Sequence, residues 1–299
     1  MFKVVFLGTS GSTPTDLRGL PSVCIEYEGD IVLFDCGEGT QRQMMTNRIN
    51  FSKVRAIFLS HIHGDHTIGL AGLARTLALN KRESGLDIFV PEGYEKAVRR
   101  LLDFDGTKIG YEIAVRQING GVIYKGKGYE IKAFRLSHTV PTYGFTFVEE
   151  ARMRFDRAKA EKLGIEGSMY STLEKNGKIK SNGKTVKITQ VAHKQNGRKV
   201  VYATDTRPVQ ATVTAARNAN LLIHEATYGD ALMSLARERM HSTALEAARI
   251  AKRANVNNLV LTHISARYRD DGELLREAKK IFRHTEIAKD GMSIDITGP

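Results

Sequence analysis

Over most of the 299 residues, short apolar runs alternate with stretches of helical periodicity. The segments Phe2 to Leu7, Val23 to Tyr27, Ile31 to Asp35, Ala56 to Leu59, Asp87 to Val90, Tyr129 to Leu136 and Tyr143 to Val148 read as strands. Thr40 to Thr46, Thr67 to Leu79 and Gly93 to Leu102 carry apolar residues at helical spacing. After Gly197 the rhythm resumes, with buried strands at Val200 to Ala203, Leu221 to Ile223 and Leu259 to Leu261. Helices fit Val209 to Arg217, Ser242 to Ala254 and Gly272 to Phe282, and short strands at Ile287 and Ile294 close the chain. Strands and helices alternating in both halves predict an α/β (α+β) protein whose sheets are covered by helices.

Residues 151–194 break the rhythm. They are polar, punctuated by glycine, and hold few apolar residues from which to build a core. Helices are predicted at Phe155 to Leu163 and Met169 to Leu173, within an inserted, flexible arm spanning 150–196 of a 1–299 domain. Charge sharpens this division. The chain carries a net charge of +12, and residues 151–199 hold thirteen of its 45 Lys and Arg but four of its 33 Asp and Glu, a local +9. Such asymmetry points to a polyanion-binding segment, with Lys159, Lys162, Lys175, Lys178, Lys180 and Lys184 as contacts. A disordered surface insertion has the same composition. No apolar run reaches membrane-span length. Cys24 and Cys36 lie in strands, not at metal-pair spacing, which predicts reduced thiols and a cytoplasmic protein.

Chemistry concentrates in Ser60-His61-Ile62-His63-Gly64-Asp65-His66, a turn between a strand and a helix. Four ligand-type side chains crowded together need a partner, and a divalent cation supplies one. One turn cannot complete a two-metal site. Further donors stand at other strand ends: His138 after Ile131 to Ser137, Asp205 after Val200 to Thr204, and His263 after Leu259 to Thr262. His193 and His284 have no partner motif and read as surface or structural residues.

This order of residues resembles the metallo-β-lactamase superfamily, and within it the ribonuclease Z (tRNase Z) family. The resemblance spans nearly the whole chain. Phe34-Asp35-Cys36-Gly37-Glu38-Gly39-Thr40-Gln41, His224-Glu225-Ala226-Thr227, His241-Ser242-Thr243 and Thr262-His263-Ile264-Ser265-Ala266-Arg267-Tyr268 carry its more specific part. It implies an αββα sandwich with an inserted basic exosite arm, two zinc ions per subunit, a homodimer and precursor tRNA as substrate. It also implies that His61, His63 and His138 hold one zinc, Asp65, His66 and His263 the other, and that Asp205 bridges them. Asp65 would act on the attacking water, and His241 would protonate the leaving 3′-oxygen.

Plainer readings stand beside these roles. His241 precedes a helix cap, with Glu246 three residues after Thr243, and a structural role fits it too. His224, Glu225 and Asp35 read as residues that orient a ligand or His241, or as strand-end packing. Arg18, in the loop Gly8 to Gly19, reads as a phosphate contact or as part of a Gly/Ser/Pro turn. Family arms often carry a Gly-Pro-rich stretch; here Gly164-Ile165-Glu166-Gly167-Ser168-Met169 stands instead, without proline. Competing functions are another hydrolase of the fold, a phosphodiesterase or thioesterase, and an RNA-binding protein with structural zinc only.

Overall fold

A computed structural model describes residues 1–298. The chain divides into two compact units, one of residues 1–147 and 199–299, the other Val148–Arg198.

The first unit is built on two seven-stranded sheets. In one, Ser293–Asp295, Phe2–Gly8, Ser22–Tyr27 and Asp30–Phe34 run antiparallel, and Val54–Phe58, Leu86–Val90 and Ile113–Gln117 continue it in parallel. In the other, Lys199–Ala203, Leu221–Glu225, Asn258–Thr262 and Thr285–Ile287 are parallel neighbours. Tyr143–Glu149, Tyr129–Arg135 and Gly121–Gly126 complete that sheet.

Strand periodicity sorts the apolar residues into three cores. Alternate side chains of both sheets meet in the middle: Val4, Phe6, Phe34 and Phe58 from one, Phe145, Phe147, Tyr202 and Ile223 from the other. Aromatic rings weld this layer, with Phe34 5.2 Å from Phe145 and Phe2 4.7 Å from Phe147, centroid to centroid. The opposite faces bury against helices. Leu70, Leu73 and Leu77 of Gly69–Leu79 cover the first sheet. Ala247, Ile250 and Ala251 of Ala244–Ala254 cover the second. The layers are therefore helix, sheet, sheet, helix.

One predicted helix is split. Gly64–Thr67 and Gly69–Leu79 are separate because the backbone groups at the junction bond to Cys36 and not along the helix: Cys36 N–H donates to His66 O, and Gly69 N–H donates to Cys36 O. Gly69 must lack a side chain, since a Cβ there would lie 2.0 Å from Gly37 O. No helix among the described residues is long and apolar enough to cross a membrane.

The second unit departs from expectation in having a core. Ala160, Ile165, Leu173, Val186 and Val191 are buried, with Phe155, Tyr170 and Ile179 packed around them. Its helices are Arg157–Lys162, Met169–Asn176 and the one-turn Ile188–Val191. Phe155 belongs instead to a strand, Arg152–Phe155, paired with Ala192–Gln195, because Asp156 caps the helix by accepting from Lys159 N–H. Lys178–Ser181 and Lys184–Lys187 form a hairpin across Asn182-Gly183. These four-residue strands escape sequence reading because their outward positions are lysines.

Candidate metal centre

Six strand ends meet at one rim. Asp35 follows Asp30–Phe34, the 61–66 turn follows Val54–Phe58, and His138 follows Tyr129–Arg135. Asp205 follows Lys199–Ala203, Thr227 follows Leu221–Glu225, and His263 follows Asn258–Thr262. Parallel strands finish on the same edge, which is where such sheets assemble sites. Asp35, Asp205 and His263 adopt left-handed backbone, at φ 61°, 40° and 57°. Each costs an L residue about 1–3 kcal/mol, a strain typical of functional turns.

Asp205 stands at the centre. Its Oδ2 lies 3.6 Å from His61 Nε2 and 3.8 Å from His138 Nε2, while Oδ1 lies 3.3 Å from His66 Nε2 and 3.1 Å from His263 Nε2. His63 Nδ1 completes the first group, 3.0 Å from His61 Nε2 and 3.4 Å from His138 Nε2. Asp65 Oδ2 completes the second, 3.5 Å from His66 Nε2 and 3.7 Å from His263 Nε2. All seven residues read from the sequence as ligands thus gather in two groups sharing one carboxylate.

The surrounding hydrogen bonds decide which nitrogens face inward as acceptors. His66 Nδ1 donates to Asp35 Oδ2 (2.8 Å), His263 Nδ1 to Thr227 Oγ1 (2.8 Å), His61 Nδ1 to Ser60 Oγ (2.9 Å) and His138 Nδ1 to Met240 O (3.2 Å). Each ring therefore turns a lone pair to the centre. His66 Nε2 and His263 Nε2 are buried and make no hydrogen bond. Converging imidazole lone pairs and carboxylates cannot satisfy one another, but they fit divalent metal ions. Gly11 leaves room for this packing: a Cβ there would lie 2.6 Å from His263 Nδ1.

Asp35 is an anchor, fully buried, accepting from Ser60 N–H (2.7 Å), Ser60 Oγ (2.9 Å) and Tyr202 Oη (2.8 Å) besides His66. Glu225 is another. Its Oε1 accepts from Thr206 N–H at 2.6 Å and from His241 Nδ1 at 2.9 Å, and its Oε2 accepts from Thr227 Oγ1 at 2.7 Å. A chain Glu225–Thr227–His263 results. Of the two readings of His224, strand-end packing fits and the orienting role does not: its Nδ1 donates to Glu225 O, its Nε2 has no hydrogen-bond partner, and no hydrogen bond joins it to His241. Neighbours on a strand point to opposite faces, so only one of the pair reaches the site. Arg18 is likewise engaged within the body, its guanidinium donating to Thr9 Oγ1, Ala288 O and Asp271, so it is not offered to a phosphate.

Tyr202, Thr227 and Ser60 also support the site; the sequence signals Thr227 and Ser60 only as the end of the His224-Glu225-Ala226-Thr227 motif and the start of the metal turn, and carries no signal for Tyr202. His241 lies close enough to Asp205 and His263 to be taken for a ligand. Its environment argues otherwise. Burial disfavours an imidazolium, but the Glu225 carboxylate overrides this and pushes the His241 pKa up to about 9. In metal-free protein burial also works against an ionised Asp65, and positive charge on the facing His263 and His66 rings outweighs it, holding the carboxyl below the ordinary range. The six lysines read as RNA contacts all lie exposed in the second unit, Lys159 paired with Asp156 at 3.1 Å. His193 and His284 are exposed.

Relatives carry the same frame. The family model of the anti-Pycsar protein Apyc1 matches residues 2–163, and that of the beta-lactamase superfamily domain matches residues 171–264. Ribonuclease Z of Archaeoglobus fulgidus is 44% identical over 303 residues, covering 99% of this chain and 98% of that protein. Ribonuclease Z of Methanosarcina mazei is 39% identical over 300 residues, with 99% and 98% covered. The crystal structure of human tRNase Z, short form, superposes with a TM-score of 0.74 at 30% identity, covering 99% of both chains. With that likeness running end to end and the helix–sheet–sheet–helix frame around a His/Asp rim, the chain belongs to the ribonuclease Z family of the metallo-β-lactamase superfamily.

Proposed function

We propose that this protein is a zinc-dependent endoribonuclease that removes the 3′ trailer of precursor tRNA, leaving a tRNA 3′-hydroxyl and a trailer 5′-phosphate. One observation carries the reading: an imidazole–carboxylate centre shared through Asp205, in a chain alike end to end to ribonucleases Z. Two zinc ions, one held by His61, His63, His138 and Asp205 and one by Asp65, His66, His263 and Asp205, would supply Lewis acidity to the phosphoryl oxygens and to the attacking water.

The chain's own groups then handle protons. Asp65, held ionised and fixed by the Ser12 amide at 2.9 Å, takes a proton from the attacking water. His241, kept charged by Glu225, gives one to the leaving 3′-oxygen. Asp35 and Glu225 hold rings in register.

The segment 150–196 is the tRNA-binding exosite in this reading. Its support is electrostatic: Lys178 sits directly opposite Lys187 on the hairpin, and among the described residues no ion pair joins Lys178, Lys180, Lys184 or Lys187 to an acid. Like charges facing each other cost stability, and bound phosphates would relieve that cost. A cytoplasmic homodimer completes the proposal; a solution mass of one 33.2 kDa chain would remove the dimer.

The test is incubation of the zinc-loaded protein with a 3′-extended tRNA, mapping both new ends, beside a glutathione thioester. Cleavage of the tRNA to the stated ends is expected. Hydrolysis of the thioester alone makes it a thioesterase of the same fold, and tRNA binding without cleavage makes it a binding protein.

A further inference from the structure

The His241 ring is held by Glu225, but its backbone is held by a residue with no part in the proposed chemistry. Arg207 donates from Nη1 to His241 O and to Glu246 Oε2, and from Nη2 to Glu246 Oε1. Glu246 already forms a complete capping box with Thr243 at the start of Ala244–Ala254, accepting from Thr243 N–H at 3.0 Å and donating N–H to Thr243 Oγ1 at 3.2 Å. The helix cap therefore does not need the arginine. What the arginine adds is the link from that cap to the His241 carbonyl.

The same two-residue segment joins the other loops of the rim. Arg207 N–H donates to Ser137 O at 2.9 Å, next to His138, and Thr206 Oγ1 accepts from Ser137 N–H at 3.0 Å. Ser242 Oγ donates to Thr206 O at 2.5 Å, next to His241. Asp205 directly precedes this segment. Three loops that are far apart in sequence, carrying His138, Asp205 and His241, are thus referenced to one point.

We propose that Arg207 is a positioning residue that fixes the His241 backbone relative to Asp205, so that the proton donor stands at a set place over the rim. The inference rests on the proton-donor reading of His241. The planar guanidinium meets both Glu246 carboxylate oxygens with two nitrogens while one of them also donates to the His241 carbonyl; a lysine ammonium keeps the charge but has no such fixed fork.

The experiment compares R207K and H241A on two substrates. One is a 3′-extended tRNA, whose leaving alkoxide needs a proton; the other is bis(p-nitrophenyl) phosphate, whose leaving phenolate does not. Expected for R207K is a kcat on tRNA roughly 10–100-fold lower, a much smaller loss on the nitrophenyl ester, and unchanged KM and metal content. Backbone hydrogen exchange should rise at residues 239–243 and stay unchanged at 61–67. If R207K does not fold, R207M/E246Q, which removes both charges and keeps a capping side chain, is measured instead. Equal losses on both substrates, lost metal, or unchanged exchange at 239–243 would overturn the inference. If H241A itself shows no dependence on leaving group, the proton-donor reading falls and this inference with it. If H241A shows that dependence and R207K does not, only the inference falls.

Discussion

The rim around Asp205 and the Lys178–Lys187 hairpin handle charge in opposite ways. At the rim, Asp35, His61, His66, Asp205, Glu225 and His263 are buried, and hydrogen bonds fix which atom of each ring faces the centre. On the hairpin Lys178, Lys180, Lys184 and Lys187 are exposed, Lys178 stands opposite Lys187, and among the described residues none of the four pairs with an acid. Buried, fixed groups suit one geometry and a short-range reaction. Exposed, mobile charges suit long-range attraction to a polyanion, which depends on salt and tolerates many sequences. In the proposed reading the two units divide chemistry from grip, and each half of that division can be broken separately.

The largest effect is expected at the rim's centre. Asp205→Ala removes the one carboxylate facing both ligand groups; tRNA cleavage should fall to the level of an enzyme-free blank, with loss of bound metal by elemental analysis. Full metal content would mean Asp205 is not shared. Next comes His241→Ala, which should lower kcat on 3′-extended tRNA by about 10²–10⁴-fold with metal retained. Replacing Lys178, Lys180 and Lys187 together by alanine should act on the other side of the division. KM for tRNA rises, kcat on a small phosphodiester holds, and the dependence of log affinity on log salt weakens by about one for each lysine that had met a phosphate. Equal losses in both assays would dissolve the distinction between the units.

The smallest effect is on stability. Glu225 lifts the His241 pKa from 6.5 to about 9, so in metal-free protein the pair's contribution is complete just below pH 6.5 and is lost as pH climbs through 9. The Tm gap between wild type and Glu225→Gln should shrink across that window. A constant gap would show that His241 does not titrate across this window and is not held as an imidazolium by Glu225.

Much of the body was legible in the chain because its strands are apolar and its helices periodic. Val200 to Ala203, Leu221 to Ile223 and Leu259 to Leu261 lie inside observed strands, and Thr40–Thr46 matches to the residue. The seven candidate ligands were legible as a group because the 61–66 turn and three further His and Asp at strand ends were read together, and the structure gathers them at one rim. Less could be read where position depends on partners far along the chain. The arm's core draws on Ile165, Leu173, Val186 and Val191, scattered among lysines with no single period. His224 and Glu225 look equivalent in sequence, yet the pleat sends only Glu225 to His241.

The sequence by itself determined which residue types were available for chemistry, where the strands end, and where positive charge concentrates, because these are properties of local composition and period. Tertiary structure alone decided how they act. It turned Asp205 toward two groups at once, set Tyr202 beside Asp35 and Arg207 beneath His241, and committed Arg18 to Asp271. These pairings join residues from separate strands and loops, and no local pattern encodes a contact that forms only when the sheets close.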